Sequence, residues 1–99
     1  MRFEFDDDGS RVSMSGEFTF IDHAAFKAIA TRLFEKQDTP VVIDLARLEF
    51  IDSAGLGMLL IVRDEAEKAG RSLVLRGPSG QVKRMFDVTK FNTLFTVEA

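Results

Sequence analysis

The sequence predicts a single α/β domain on a mixed, mostly parallel sheet of about four to five strands, with three helices and an N-terminal β-hairpin. Three observations predict it. Short β-branched runs alternate with helical patterns, the order that yields parallel strands joined by right-handed crossovers. Two alternating segments stand side by side at the start, as a hairpin requires. The 99 residues suit one domain over 1–99, and an apolar content of 45% is enough for one core.

Residues 2–5 (RFEF) and 11–15 (RVSMS) alternate polar and apolar, with the acidic turn DDDGS between them. Residues 18–22 (FTFID) lead into a first helix capped by Asp22. Phe26, Ile29, Ala30, Leu33 and Phe34 keep its i, i+3, i+4, i+7, i+8 spacing, and its end is predicted near Gln37 and Asp38. Residues 39–45 (TPVVIDL) read as a strand buried on both faces, followed by a short exit loop. A second helix runs from about Ala54 to Ala69, closed by Gly70. Residues 72–75 (SLVL) are another buried strand. Residues 77–88 (GPSGQVKRMFDV) give a loop and a short third helix with Ser79 as cap, and 94–97 (LFTV) give the last strand. No linker or internal repeat interrupts this order.

Composition removes several functions. With no Cys there is no disulfide, thiolate nucleophile or cysteine metal site, and the lone His23 cannot build a histidine cluster. No metal and no cofactor are expected. Asp6, Asp7 and Asp8 read as a wet turn rather than a cation cage. A net charge of −3 without a basic stripe disfavours nucleic acid. The longest apolar run, 56–62, is too short to span a bilayer, and the start lacks a secretory h-region. No direct membrane insertion is expected, and the predicted location is cytoplasmic. The ten phenylalanines stand without Tyr or Trp, and most of Phe3, Phe5, Phe18, Phe20, Phe26 and Phe34 fall at inward spacings. Lys83 and Arg84 read as a solvated face.

The stretch LEFIDSAGLG, residues 48–57, interrupts an apolar run with Asp52 and Ser53. Both are favoured helix caps, and capping is the plain reading of either. Gly55 and Gly57 then fall in the first turn, where glycine costs about 1 kcal/mol against alanine. Close approach of another backbone, or of a phosphate, would explain them. At 100° per residue Gly55, Leu59, Val62, Ala66 and Ala69 form one stripe toward the sheet. Leu56, Leu60 and Ile61 fall off it, so apolar surface is predicted beside Ser53. Either a protein partner or Met85 and Phe86 of the third helix covers it. DSAGLG is neither a P-loop nor a dinucleotide fingerprint. His23 reads as a solvated first-turn residue, and no oxyanion site accompanies the Asp–Ser pair, so catalysis is not expected.

Residues 41–77, VVIDLARLEFIDSAGLGMLLIVRDEAEKAGRSLVLRG, resemble the core of a STAS domain, specifically a bacterial anti-sigma factor antagonist (anti-anti-sigma factor). The resemblance extends from GEF at Gly16 through VKRMFDVTKFNTLFTV. It implies a STAS-type single domain with Ser53 as phosphoacceptor, flanked by Asp22 and Asp52. It also implies that Gly55, Leu56 and Gly57 shape the partner-contacting loop and helix start. The partner-binding residues expected from it are Asp22, Asp52, Ser53, Ala54, Gly55, Leu56, Gly57 and Leu60. The implied partner is an anti-sigma factor that is also a serine kinase with an ATPase-type fold. The unphosphorylated protein would bind it and release the sigma factor. Phosphorylation of Ser53 would switch binding off, and a PP2C-type phosphatase would reset it. The chain would be a substrate, not an enzyme. The alternative is a non-switching STAS subunit of a lipid-transport ABC system, with Ser53 only a cap or interface hydroxyl. Many members continue into a final helix, which is expected to be missing or shortened here, with Phe91 and Phe95 packing in its place.

Overall fold

The hairpin forms first along the chain. In a computed structural model describing residues 1–6, 9–35 and 40–99, β1 (Arg2–Phe5) pairs antiparallel with β2 (Arg11–Phe18). The turn is tied by Asp6, whose Oδ1 accepts from the Gly9 and Arg11 amides at 3.0 and 3.2 Å. Asp7 and Asp8, of the same acidic run, lie outside the described residues. The chain then crosses to β3 (Val41–Ile51), β4 (Leu73–Arg76) and β5 (Thr96–Glu98), each parallel to the strand before it. The five strands lie in the order β1-β2-β3-β4-β5, so the expected mixed sheet is present. Helices α1 (His23–Leu33), α2 (Ser53–Lys68) and α3 (Gly80–Thr89) make the crossovers. Short 3-10 turns, Phe20–Asp22 and Phe91–Thr93, precede α1 and follow α3.

Two strand expectations are corrected. The third strand does not stop at Leu45 but runs on to Ile51, 11 residues in all. Leu45, Leu48 and Ile51 stay buried because β2 and β3 shift register twice, between Ser13 and Ser15 and between Gly16 and Glu17. Bulges absorb the extra residues, and a strict period of two loses phase at each one. Nor are β3 and β4 buried on both faces. Val41, Ile43, Leu73 and Leu75 are buried, whereas Val42, Asp44, Val74 and Arg76 between them are only half-buried. The core therefore lies on one face. The other carries a polar row, Ser13–Asp44–Arg76–Glu98, in which Arg76 pairs with Glu98 at 3.1 Å.

The helical spacing is as read: Phe26, Ile29, Ala30 and Leu33 of α1 are buried. The helix closes at Leu33 with Phe34 as C-cap, and the end expected near Gln37 and Asp38 lies outside the described residues. Gly70 follows α2 at φ +67°, a conformation that suits glycine. Ring pairs fill the core, Phe18 on Phe26 at 4.8 Å and Phe91 between Phe86 (5.4 Å) and Phe95 (5.1 Å). Two phenylalanines read as inward are not: Phe3 is 48% and Phe20 72% exposed. Phe3 sits on the edge strand beyond the helices. Phe20 lies past the end of β2, where the strand alternation no longer governs direction.

Candidate functional site

The site is built where β3 hands over to α2. Ile51 ends the strand, and Gln81 in the first turn of α3 holds it at both backbone groups, N–H and C=O, at 2.9 Å each. Asp52 follows in an extended conformation and is the N-cap of α2. Its Oδ1 accepts the Gly55 amide at 2.8 Å and its Oδ2 the Phe20 amide at 3.3 Å. One carboxylate thus caps the helix and fastens the turn after β2.

Capping by Asp52 settles what Ser53 does not do. Ser53 is the first residue of α2, exposed, and among the described residues its hydroxyl has no hydrogen-bond partner. The helix start, with its aligned dipoles and partly free amides, lies directly beneath it.

Asp22 reaches the same turn from the other side. It occupies the N-cap position of α1, yet its side chain does not cap that helix. Its Oδ2 accepts the Thr19 amide at 2.9 Å, and its Oδ1 the Met1 ammonium at 2.9 Å. Asp22 and Asp52 therefore hold the consecutive amides of Thr19 and Phe20. Burial pushes the Asp22 pKa up, but the Thr19 amide and the Met1 ammonium outweigh it. The carboxyl lies below its ordinary value of 3.8.

The two glycines separate. A Cβ on Gly55 would stand 2.7 Å from both the Phe18 carbonyl oxygen and Ile51 Cγ1. Close approach of the chain's own backbone explains it. A Cβ on Gly57 would meet nothing within 4 Å. At 100° per residue Ser53, Gly57 and Leu60 share an arc of about 60° on α2. Ala54, Gly57 and Leu60 are half-buried, and Ile61 beside them is 56% exposed.

Leu56 corrects the apolar surface expected beside Ser53, because it is only 6% exposed and belongs to the core. Ile61, at 56% exposure, and half-buried Leu60 keep part of the expected apolar surface, and Phe20 at 72% and Ile21 at 90% exposure add to it in the turn that Asp22 and Asp52 hold. Sequence reasoning missed Phe20 and Ile21. The available signal was FTFID itself, an apolar pair stranded between a strand end and a helix cap. His23 is exposed at the start of α1. Among the described residues no three His, Cys, Asp or Glu side chains are grouped to hold a metal ion, and no helix is long and apolar enough to cross a membrane.

Comparison with known proteins adds the context. The family model described as "Mlab, STAS domain" matches residues 1–97. A STAS-domain containing protein of Pseudomonas aeruginosa is 31% identical over 88 residues, which are 87% of this chain and 84% of that protein. BtrV of Bordetella bronchiseptica, whose name proposes an anti-sigma factor antagonist, is 35% identical over 63 residues, 64% of this chain and 54% of that protein. Among solved structures, a Thermotoga maritima protein proposed as an anti-sigma factor antagonist superposes with a TM-score of 0.79 at 20% identity, covering 99% of this chain and 85% of its own. The anti-sigma factor antagonist SpoIIAA in its unphosphorylated form superposes with a TM-score of 0.70 at 22% identity, over 99% and 86%. At these identities the two structures show a shared fold.

Proposed function

The chain belongs to the STAS domain family, and on that premise we propose that it is a cytoplasmic anti-sigma factor antagonist switched at Ser53. Unphosphorylated, it binds an anti-sigma factor that is also a serine kinase of ATPase-type fold, and the sigma factor is released. Phosphorylated, it lets go. A PP2C-type phosphatase restores the binding form. The protein is the substrate of these enzymes and catalyses nothing itself.

The observation that carries this reading is the idle hydroxyl of Ser53. A serine needed for the fold would be expected to cap α2, but Asp52 does that. What remains is an exposed hydroxyl on the first residue of α2. Phosphorylation would add about −1.5 to −2 charge there. The helix terminus favours an anion, and Asp52 next door opposes it. Asp22 opposes less, since its charge is already paired with the Met1 ammonium. The fold therefore tolerates the modification. A partner surface does not, because a dianion must be desolvated or paired there. A misplaced interfacial charge typically costs about 2–5 kcal/mol, or roughly 30- to several-thousand-fold in affinity.

The test uses the cognate kinase with ATP, followed by partner capture. One phosphate is expected on wild type and none on Ser53→Ala. The Ala variant should keep the kinase and Ser53→Asp should lose it. Phosphate elsewhere with Ser53 untouched would remove the assignment. The family model is described as Mlab rather than as an antagonist, and that wording favours a second reading, a fixed STAS subunit of a lipid-transport ABC system. Under it the Ala and Asp variants hold the same transport ATPase equally, and no kinase modifies Ser53.

A further inference from the structure

One edge of the sheet, β1, carries information that the Ser53 site does not use. β1 is an edge strand with only β2 beside it. Edge strands are usually blunted by charge, and Arg2 and Glu4 could serve that way. Yet neither side chain makes an ion pair or hydrogen bond among the described residues, and Phe3 between them is 48% exposed.

The ladder decides which backbone groups face outward. The Asp6 amide donates to the Arg11 carbonyl at 3.0 Å, so Asp6 and Arg11 form a bonded pair. Bonded pairs alternate along an antiparallel ladder. Glu4–Ser13 and Arg2–Ser15 are then bonded as well, and Phe3 and Phe5 aim their N–H and C=O away from β2.

We propose that this edge pairs with a second copy of the chain, antiparallel and centred on Phe3, continuing the sheet across a two-fold axis. Charge selects the register. Centring on Arg2 would set Arg2 against Arg2, and centring on Glu4 would set Glu4 against Glu4. Centring on Phe3 sets Arg2 opposite Glu4 of the second copy, and Glu4 opposite its Arg2. Opposite charges directly across a sheet attract and like charges repel. The same register joins outward groups to outward groups, Phe3 N–H to Phe3 C=O in both directions. It also lays the two Phe3 rings side by side on the face that holds Met14, the helix-covered face. A four-residue edge buries less than the ~1,200 Å² of a stable interface, so this is a weak dimer formed at high local concentration.

Sedimentation velocity over a concentration series tests it, with Arg2→Glu and Glu4→Arg as variants and circular dichroism as the check on folding. Wild type should shift toward dimer as concentration rises. Each variant alone should weaken association by about tenfold or more, since two attractive pairs become repulsive. An equimolar mixture of the two variants should recover it, because an edge with two acidic side chains then faces an edge with two arginines. A monomeric wild type throughout, variants that dimerise like wild type, or a mixture that stays monomeric would each overturn the proposal. Should either variant fail to fold, dilution of wild type followed by NMR decides instead. Concentration-dependent shifts at the Phe3 and Phe5 amides support the edge, and their absence rejects it.

Discussion

Gln81 closes on Ile51 as a neighbouring strand would. Its Oε1 accepts the Ile51 amide and its Nε2 donates to the Ile51 carbonyl, both at 2.9 Å. The need arises because β4 pairs with β3 only as far as Asp44. Past that point β3 has no strand on that side, and a side chain takes its place. Gln81→Ala leaves two half-buried backbone groups without partners, at an expected cost of about 1–3 kcal/mol. Urea unfolding measures it, and Gln81→Leu should lose as much despite its bulk. A midpoint unchanged in both variants would show that the clamp contributes nothing.

Gly55 and Gly57 should respond in opposite directions. Gly55→Ala forces a methyl against the Phe18 carbonyl, a backbone atom that cannot step aside. Overpacking of this kind costs about 1–3 kcal/mol. Gly57→Ala enters open space and should gain up to about 1 kcal/mol in helix propensity. Under the proposed function Gly57→Ala should nevertheless weaken kinase binding, because a partner backbone would approach along the Ser53–Gly57–Leu60 face. Melting temperature and affinity read the two effects separately. A more stable Gly57→Ala with unaltered affinity would remove Gly57 from the interface.

The N-terminal hairpin, the element order and the inward stripe of α1 were legible because each rests on an unbroken period. Where the period breaks, the reading failed. The bulges opposite Ser13–Ser15 and Gly16–Glu17 turned half of β3 into an apparent loop. Gln81 gave no signal at all, since a polar residue in a short helix does not announce a contact 30 residues away. At the candidate site the composition of residues 52–57 pointed to the helix start, but not to the division of labour within it. Either Asp52 or Ser53 could cap, and only geometry assigns the cap to Asp52. Leu56 and Phe20 exchanged places for a related reason. Helical angle alone does not say that α2 presses its first turn into the core, nor that the chain turns outward after Phe18.

Asp22 should leave a mark on the acid limb of stability. Its folded pKa is depressed, so the folded chain holds that proton less tightly than the unfolded one. Its contribution is complete above the unfolded value of about 3.9 and disappears as pH falls through the folded value. Asp22→Asn should therefore be less stable than wild type at neutral pH and converge on it under acid. Urea midpoints at a series of pH values test this. A gap that stays constant down to acid pH would mean that the carboxylate charge is not what the Met1 ammonium and the Thr19 amide reward.

Phe20 and Ile21 offer the cleanest separation of binding from folding. They are 72% and 90% exposed, so Phe20→Ser and Ile21→Ser remove little buried surface and should change stability by less than about 0.5 kcal/mol. The backbone beneath them stays in place, because Asp22 and Asp52 hold the Thr19 and Phe20 amides rather than the side chains. If the Ser53 surface binds a protein, this apolar pair is its best-placed anchor, and truncating an anchor typically costs about 1 kcal/mol or more. The expected result is therefore a loss of about fivefold or more in kinase affinity for each variant, with unfolding curves that overlay wild type. Affinity indistinguishable from wild type in the double variant would place the partner elsewhere on the domain and would withdraw this turn from the interface, whatever the fate of Ser53.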